Sequence, residues 1–180
     1  MQQTQRKQRG LAAILLALAA FCLVAVYFIM VFITHDIVWF QAGFHDLPDQ
    51  VVVYQAGQRT EFQAGQSGYQ QLANAIEASL NQGVASSSGL DMSQQNLDDA
   101  YFKDVTVEAF FNRPVKLHAW FNTGDPTQML FPISGTKAGQ AVVFLGINGV
   151  YLSNAPKLNT ISPLLDALRK LGFQIGSLKE

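Results

Sequence analysis

The chain has a single cysteine, Cys22, and it sits inside an apolar run. An intramolecular disulfide is therefore excluded. So are a thiolate zinc site and covalently attached c-type haem, which draw on paired cysteines. Charge is scarce as well: Asp, Glu, Lys and Arg make up 14% of the 180 residues, where a soluble domain carries about a quarter. What basic charge there is concentrates at the start, with Arg6, Lys7 and Arg9 in the first ten residues. Beyond them nine Lys and Arg face 13 acidic residues, a balance of −4. Nucleic-acid binding needs clustered Lys and Arg to neutralise phosphates, and no such cluster exists here.

What the sequence does have is one long hydrophobic stretch. Residues 11–33, LAAILLALAAFCLVAVYFIMVFI, contain no charged side chain. As a helix they extend for about 35 Å, enough to cross a hydrocarbon core of about 30 Å. Trp39 and Phe40 follow where an aromatic belt would meet the headgroups, and the basic residues all precede the run. The positive-inside rule then places residues 1–10 in the cytoplasm as a basic tail and the rest outside it, in the periplasm of a bacterium or the extracellular space. Ala17-Leu18-Ala19 resembles a signal-peptidase exit, but the run continues for 14 residues beyond it, so residues 11–34 read as an uncleaved transmembrane anchor. Along it Ala13, Ala17 and Ala20 fall on one face, a small-residue stripe of the kind that lets a second helix approach.

Residues 35–49 read as a juxtamembrane connector and 50–180 as an extracytoplasmic α+β domain. Two short β-rich runs, 51–55 and 59–62, flank Ala56-Gly57, which signals a hairpin. A helix follows with Ser67 as its expected cap, Tyr69, Leu72, Ala73, Ile76 and Leu80 on one face, and Gly83 as its stop. Residues 83–93 are rich in Ser and Gly and read as a loop. A second short helix is expected over 94–103, with Leu97, Ala100 and Tyr101 inward and an Asp99–Lys103 pair outside.

The middle reads as antiparallel sheet. Val105, Val107, Ala109 and Phe111 alternate with Thr106, Glu108 and Phe110, and after Asn112-Arg113-Pro114 the alternation resumes around Leu117, Ala119 and Phe121. A three-residue turn would pair Phe111 with Leu117 and Ala109 with Ala119, keeping both apolar faces together. Phe110, His118 and Trp120 would then share the opposite face beside Glu108 and Lys116, standing exposed as partner-binding aromatics. Residues 129–133 and 141–147 are further strands. The second is apolar on both parities and so reads as a central strand covered on both faces, ending at an Asn148-Gly149 type I′ turn. A final helix begins at Ser162, its expected cap, with Pro163 in the first turn. Ile161, Leu164, Leu165, Leu168 and Leu171 line one side, and Gly172-Phe173 closes it with a clasp back to Leu168.

Motifs for chemistry fail on inspection. His35-Asp36 and His45-Asp46 hold possible zinc donors, but ten helical positions differ by about 80° in direction. Gly65-Gln66-Ser67-Gly68-Tyr69 lacks the second glycine of a nucleophile elbow. The loop at 134–140 has a lysine among glycines without the phosphate-loop spacing. Asp98 and Asp99, adjacent on a helix, point about 100° apart and cannot flank one bond. His118 has no Ser or Cys nucleophile near it on its strand.

The sequence therefore supplies no ligand set for a metal or cofactor and no catalytic constellation. The expectation is a non-catalytic accessory subunit of a larger membrane complex. It would contact partner subunits through Ala13, Ala17 and Ala20 in the bilayer and through Phe110, His118 and Trp120 outside it. In an energy-transducing or electron-transfer host it would itself carry no redox group. An anchored ligand-binding or sensor domain and an anchored hydrolase are the alternatives.

Overall fold

The structure, a computed structural model, describes residues 2–41 and 43–175. Helix α1 (Gln2–Thr34) contains an apolar segment, Ala12–Thr34, that is long enough to cross a membrane and is not buried against the rest of the chain. His35 ends it in a left-handed conformation (φ 55°), its N–H donating to Val31 O at 2.9 Å.

The α+β domain is built on a six-stranded antiparallel sheet in the order β2-β1-β4-β5-β6-β7. Strands β1 (Gln50–Gln55) and β2 (Gln58–Gln63) form the expected hairpin, with Ala56 and Gly57 both at positive φ as a type I′ turn requires. Helix α2 (Tyr69–Asn81) follows, then β3 (Val84–Ser87) and α3 (Gln94–Phe102). Strand β4 (Val105–Phe110) lies against β1 on one side and β5 (Gln128–Pro132) on the other. Strands β6 (Phe144–Ile147) and β7 (Val150–Tyr151) turn at Asn148-Gly149, again with both residues at positive φ. β8 (Pro156–Leu158) and α4 (Ser162–Lys170) complete the chain.

Side-chain alternation explains why both faces of this sheet are covered. Val51, Val53, Val107, Ala109, Met129, Phe131 and Leu145 point to one side, where α2 and α4 bury them with Leu72, Ile76, Leu80, Leu164 and Leu168. Leu130, Phe144 and Val142 form a smaller core on the other side, under Leu97 and Tyr101 of α3 and the preceding Leu90 and Met92. Each fully buried Leu, Ile or Phe of these layers contributes about 1.5–3 kcal/mol of transfer free energy.

Five expectations are corrected. The stretch 111–127 contains no strand, so the pairing of Phe111 with Leu117 does not occur; β4 pairs instead with β5, Phe110 standing opposite Gln128. Pro114 and Pro126 each lack a ladder donor, and the segment between them loops out, its ends tied by Phe111 N to Thr127 O and Val115 N to Pro126 O. The alternation survives without the ladder, since Val115, Leu117 and Ala119 are buried.

Ser67 does not cap α2. Gly68 occupies that place at φ 87°, and an added Cβ there would lie 3.0 Å from Phe62 and 3.1 Å from Leu171. Ser162 is the first residue of α4, whose cap position is Ile161. The 83–93 segment is not wholly loop, because β3 pairs with β8 in a separate two-stranded sheet. Its last residue, Ser93, is the side-chain cap that the sequence reading missed: its hydroxyl accepts from Asn96 N at 3.2 Å. Finally, β6 is covered on both faces but lies one strand from the sheet edge, not at its centre.

Candidate functional site

The connector is part of the fold. Phe44 is buried and packs edge-on against Phe111, with ring centroids 6.1 Å apart; its N–H donates to Asn81 Oδ1 at the end of α2. Nearer the helix, Thr34 turns its hydroxyl back to Met30 O at 2.8 Å, and Asp36 N donates to the same hydroxyl oxygen at 3.2 Å. Asp36 is only 6% exposed. One of its carboxylate oxygens accepts from Val38 N at 3.0 Å, which is why the chain turns here. The other lies 2.6 Å from His118 Nδ1. Burying a carboxylate is costly unless it is paired, and both oxygens of Asp36 have partners.

This contact places Trp120 near the end of α1. A cleft of 270 Å³ opens there, lined by Trp39, Phe40, Gln82, His118, Trp120 and Asn159 among others. Phe40 and Trp120 are 59% and 53% exposed, and Ile37 beside them is exposed too. Tyr27, two turns inside α1, donates its hydroxyl to Ile37 O at 3.0 Å, so the turn after the helix folds back along it. The structure thus brings His118 and Trp120 together with Trp39 and Phe40. It does not bring Phe110 to them. Phe110 is partly buried at the end of β4, between Gln50 and Gln128, and does not line this cleft. Ala13, Ala17 and Ala20 are exposed on α1 with nothing of their own chain against them.

The two His-Asp pairs do not converge. Asp36 goes to His118, Asp46 to Arg113 at 2.7 Å, and His45 approaches Glu77 at 3.5 Å. Among the described residues no three His, Cys, Asp or Glu side chains are grouped to hold a metal.

Sequence reasoning missed one constellation. Glu108 was expected on a wet face, yet it is 2% exposed, on the α3 side of the sheet. Tyr54 donates to its carboxylate at 3.2 Å, Tyr101 at 3.2 Å, and Tyr151 also donates. Burial pushes the Glu108 carboxyl above the usual carboxylate range, against the opposing pull of the three hydroxyls. Burial, and next the adjacent Glu108 charge, raise Tyr151 and Tyr54; Tyr101 is raised too, chiefly by burial. Three tyrosines brought by β1, α3 and β7 onto one glutamate in β4 could have been read only by knowing the strand order. With its oxygens spent on hydroxyls and its surface closed, Glu108 has no access to a substrate.

A second cleft, of 230 Å³, runs between residues 122–124 and 152–156. Three of its polar side-chain atoms are engaged within the chain: Thr123 donates to Leu117 O, Asn122 Oδ1 accepts from Gly124 N, and Asn154 accepts from Ser87. Comparison with protein-family models, with curated proteins and with solved structures finds no match for this chain.

Proposed function

We propose that this chain is a membrane-anchored, non-catalytic accessory subunit of a larger membrane protein complex, with residues 1–10 cytoplasmic and the α+β domain on the other side. The observation that carries this reading is an apolar helix, Ala12–Thr34, that its own domain leaves uncovered yet holds in fixed orientation. A flexible tether would suit an anchored enzyme or sensor, which must reach its target. A junction tied by Asp36–His118, Tyr27–Ile37 and the buried Phe44 suits a part that docks in one pose on neighbours in and above the bilayer. The stripe of Ala13, Ala17 and Ala20 offers a face for close helix packing.

The test is purification of the tagged full chain in mild detergent, with native mass and stoichiometry read by mass spectrometry. Stoichiometric membrane-protein companions are expected, and they should be lost when Ala13, Ala17 and Ala20 are all replaced by Leu. A monomer, or companions indifferent to that change, would sink the reading.

A further inference from the structure

The surface around Trp120 continues the end of α1. Tyr27 and Thr34 are separated by about 10 Å along a helix, and the Tyr27 hydroxyl reaches the carbonyl of Ile37, beyond the helix end. The chain at Ile37 therefore lies back beside the last turns of the apolar helix, and a turn over 38–41, closed by Gln41 N to Val38 O at 2.8 Å, follows it. This stretch carries an exposed Ile37 and an exposed Phe40. Trp120 is held to the same place by its neighbour but one, His118, through buried Asp36.

The chemistry of this surface is distinctive. The cleft is lined by indole, phenyl and amide groups, from Trp39, Phe40, Gln41, Gln82, Trp120 and Asn159, together with the imidazole of His118, which is engaged by Asp36; no Asp, Glu, Lys or Arg stands in its walls. The nearby carboxylate, Asp36, is turned inward and paired. A surface of exposed aromatics backed by amides, free of Asp, Glu, Lys and Arg, matches the interfacial layer of a bilayer, where rings lie among headgroups and glycerol esters while amides meet ester carbonyls and water.

We infer that Ile37, Phe40 and Trp120 form a lipid-contact surface, so that the domain rests on the bilayer with these side chains in the headgroup layer. The occupant of the cleft mouth is phospholipid. This rests on the membrane-anchor part of the reading above and not on the existence of partner subunits. It assigns to lipid an aromatic, Trp120, that the sequence alone suggests for a protein partner.

The test uses the full chain reconstituted into phosphatidylcholine vesicles whose acyl chains are dibrominated near the glycerol, against unbrominated vesicles. Bromine quenches indole fluorescence only on contact. The Trp39→Phe chain leaves Trp120 as the sole indole, and its emission should fall roughly twofold in brominated vesicles if the ring lies in the interfacial layer. The wild type read against Trp120→Phe, a change at an exposed position, gives the same quantity by difference. Co-flotation with the vesicles is measured on every sample. A floated chain whose Trp120 emission ignores bromine overturns the lipid contact and leaves Trp120 to water or a protein, with the anchor intact. A chain that does not float overturns the anchor and this inference together.

Discussion

Asp36 Oδ2 lies 2.6 Å from His118 Nδ1, joining side chains 82 positions apart and fixing the exit of α1 to the 111–127 loop. The pair has two consequences. It sets the angle at which the domain leaves the helix, and it brings Trp120 beside Phe40. Removing the imidazole strands a buried carboxylate, and hydrogen bonds to charged groups are worth about 1.5–3 kcal/mol. His118→Ala should therefore loosen the junction without unfolding the sheet. Hydrogen exchange at residues 36–41 should speed up by about one to two powers of ten, with the amides of β4 and β5 unchanged. Equal acceleration in both regions would mean that the pair supports the whole core and not the junction.

Glu108 gives a pH dependence with a definite sign. Its folded-state carboxyl is raised above the ordinary value of 4.5, chiefly by burial, so the folded chain holds the proton more tightly than the unfolded chain. The stability tied to that proton is full below pH about 4.5 and is lost as pH rises through the folded-state value. Glu108→Gln cannot ionise and should not show this decline. Urea midpoints at pH about 4 and pH about 7 should shift in favour of the Gln chain at the higher pH. A difference between the two chains that stays constant with pH would show that the Glu108 carboxyl holds its proton no more tightly in the folded chain than in the unfolded one.

The face that α4 presents to α2 is the firmest packing expectation. Leu164, Leu165 and Leu168 are all buried there, and Leu165→Ala should cost about 2–5 kcal/mol in urea unfolding of the full chain. A loss under about 0.5 kcal/mol would place Leu165 outside the core.

Periodicity made the helices on either side of the sheet legible, and α2, α3 and α4 fall where apolar spacing puts them; α1 was marked by its apolar run from residue 11, whereas the helix itself begins at Gln2. The two I′ turns were legible too, because Ala56-Gly57 and Asn148-Gly149 sit between β-rich runs. Pairing was less visible. The alternation through Leu117 and Ala119 is real, but alternation reports which side chains turn inward and not which backbone lies alongside. Pro114 and Pro126 were the available signal that the ladder fails there. The error over Glu108 had a similar root. A charged residue between apolar ones reads as a wet face, unless three tyrosines distant in sequence converge on it. Ser67 was misread as a cap because position alone suggested it, whereas the tight packing at Gly68 against Phe62 and Leu171 is a tertiary fact. The junction escaped notice for the same reason: His118 reads as part of an exposed face and Asp36 as one of two failed zinc pairs, and only the fold puts them together.

The orientation proposed for the chain rests on charge, and it can be tested independently of any partner. Arg6, Lys7 and Arg9 precede the apolar segment, while the residues just after it, His35 and Asp36, bring no Lys or Arg. Retention of basic residues on the cytoplasmic side would leave the domain outside. Position 95 is suited to a reporter, because Gln95 is exposed on α3, well away from the Asp36–His118 junction in sequence. In a Cys22→Ala background, Gln95→Cys should react with a membrane-impermeant maleimide in intact cells. Gln8→Cys, in the basic tail, should react only after the cells are permeabilised. Cys22 must be removed because it lies within the apolar segment and would label slowly once detergent is present. The reverse labelling pattern would place the domain in the cytoplasm. Labelling of both cysteines in intact cells would mean that the helix does not cross the membrane, and the aromatic surface at Phe40 and Trp120 would then need an explanation other than lipid.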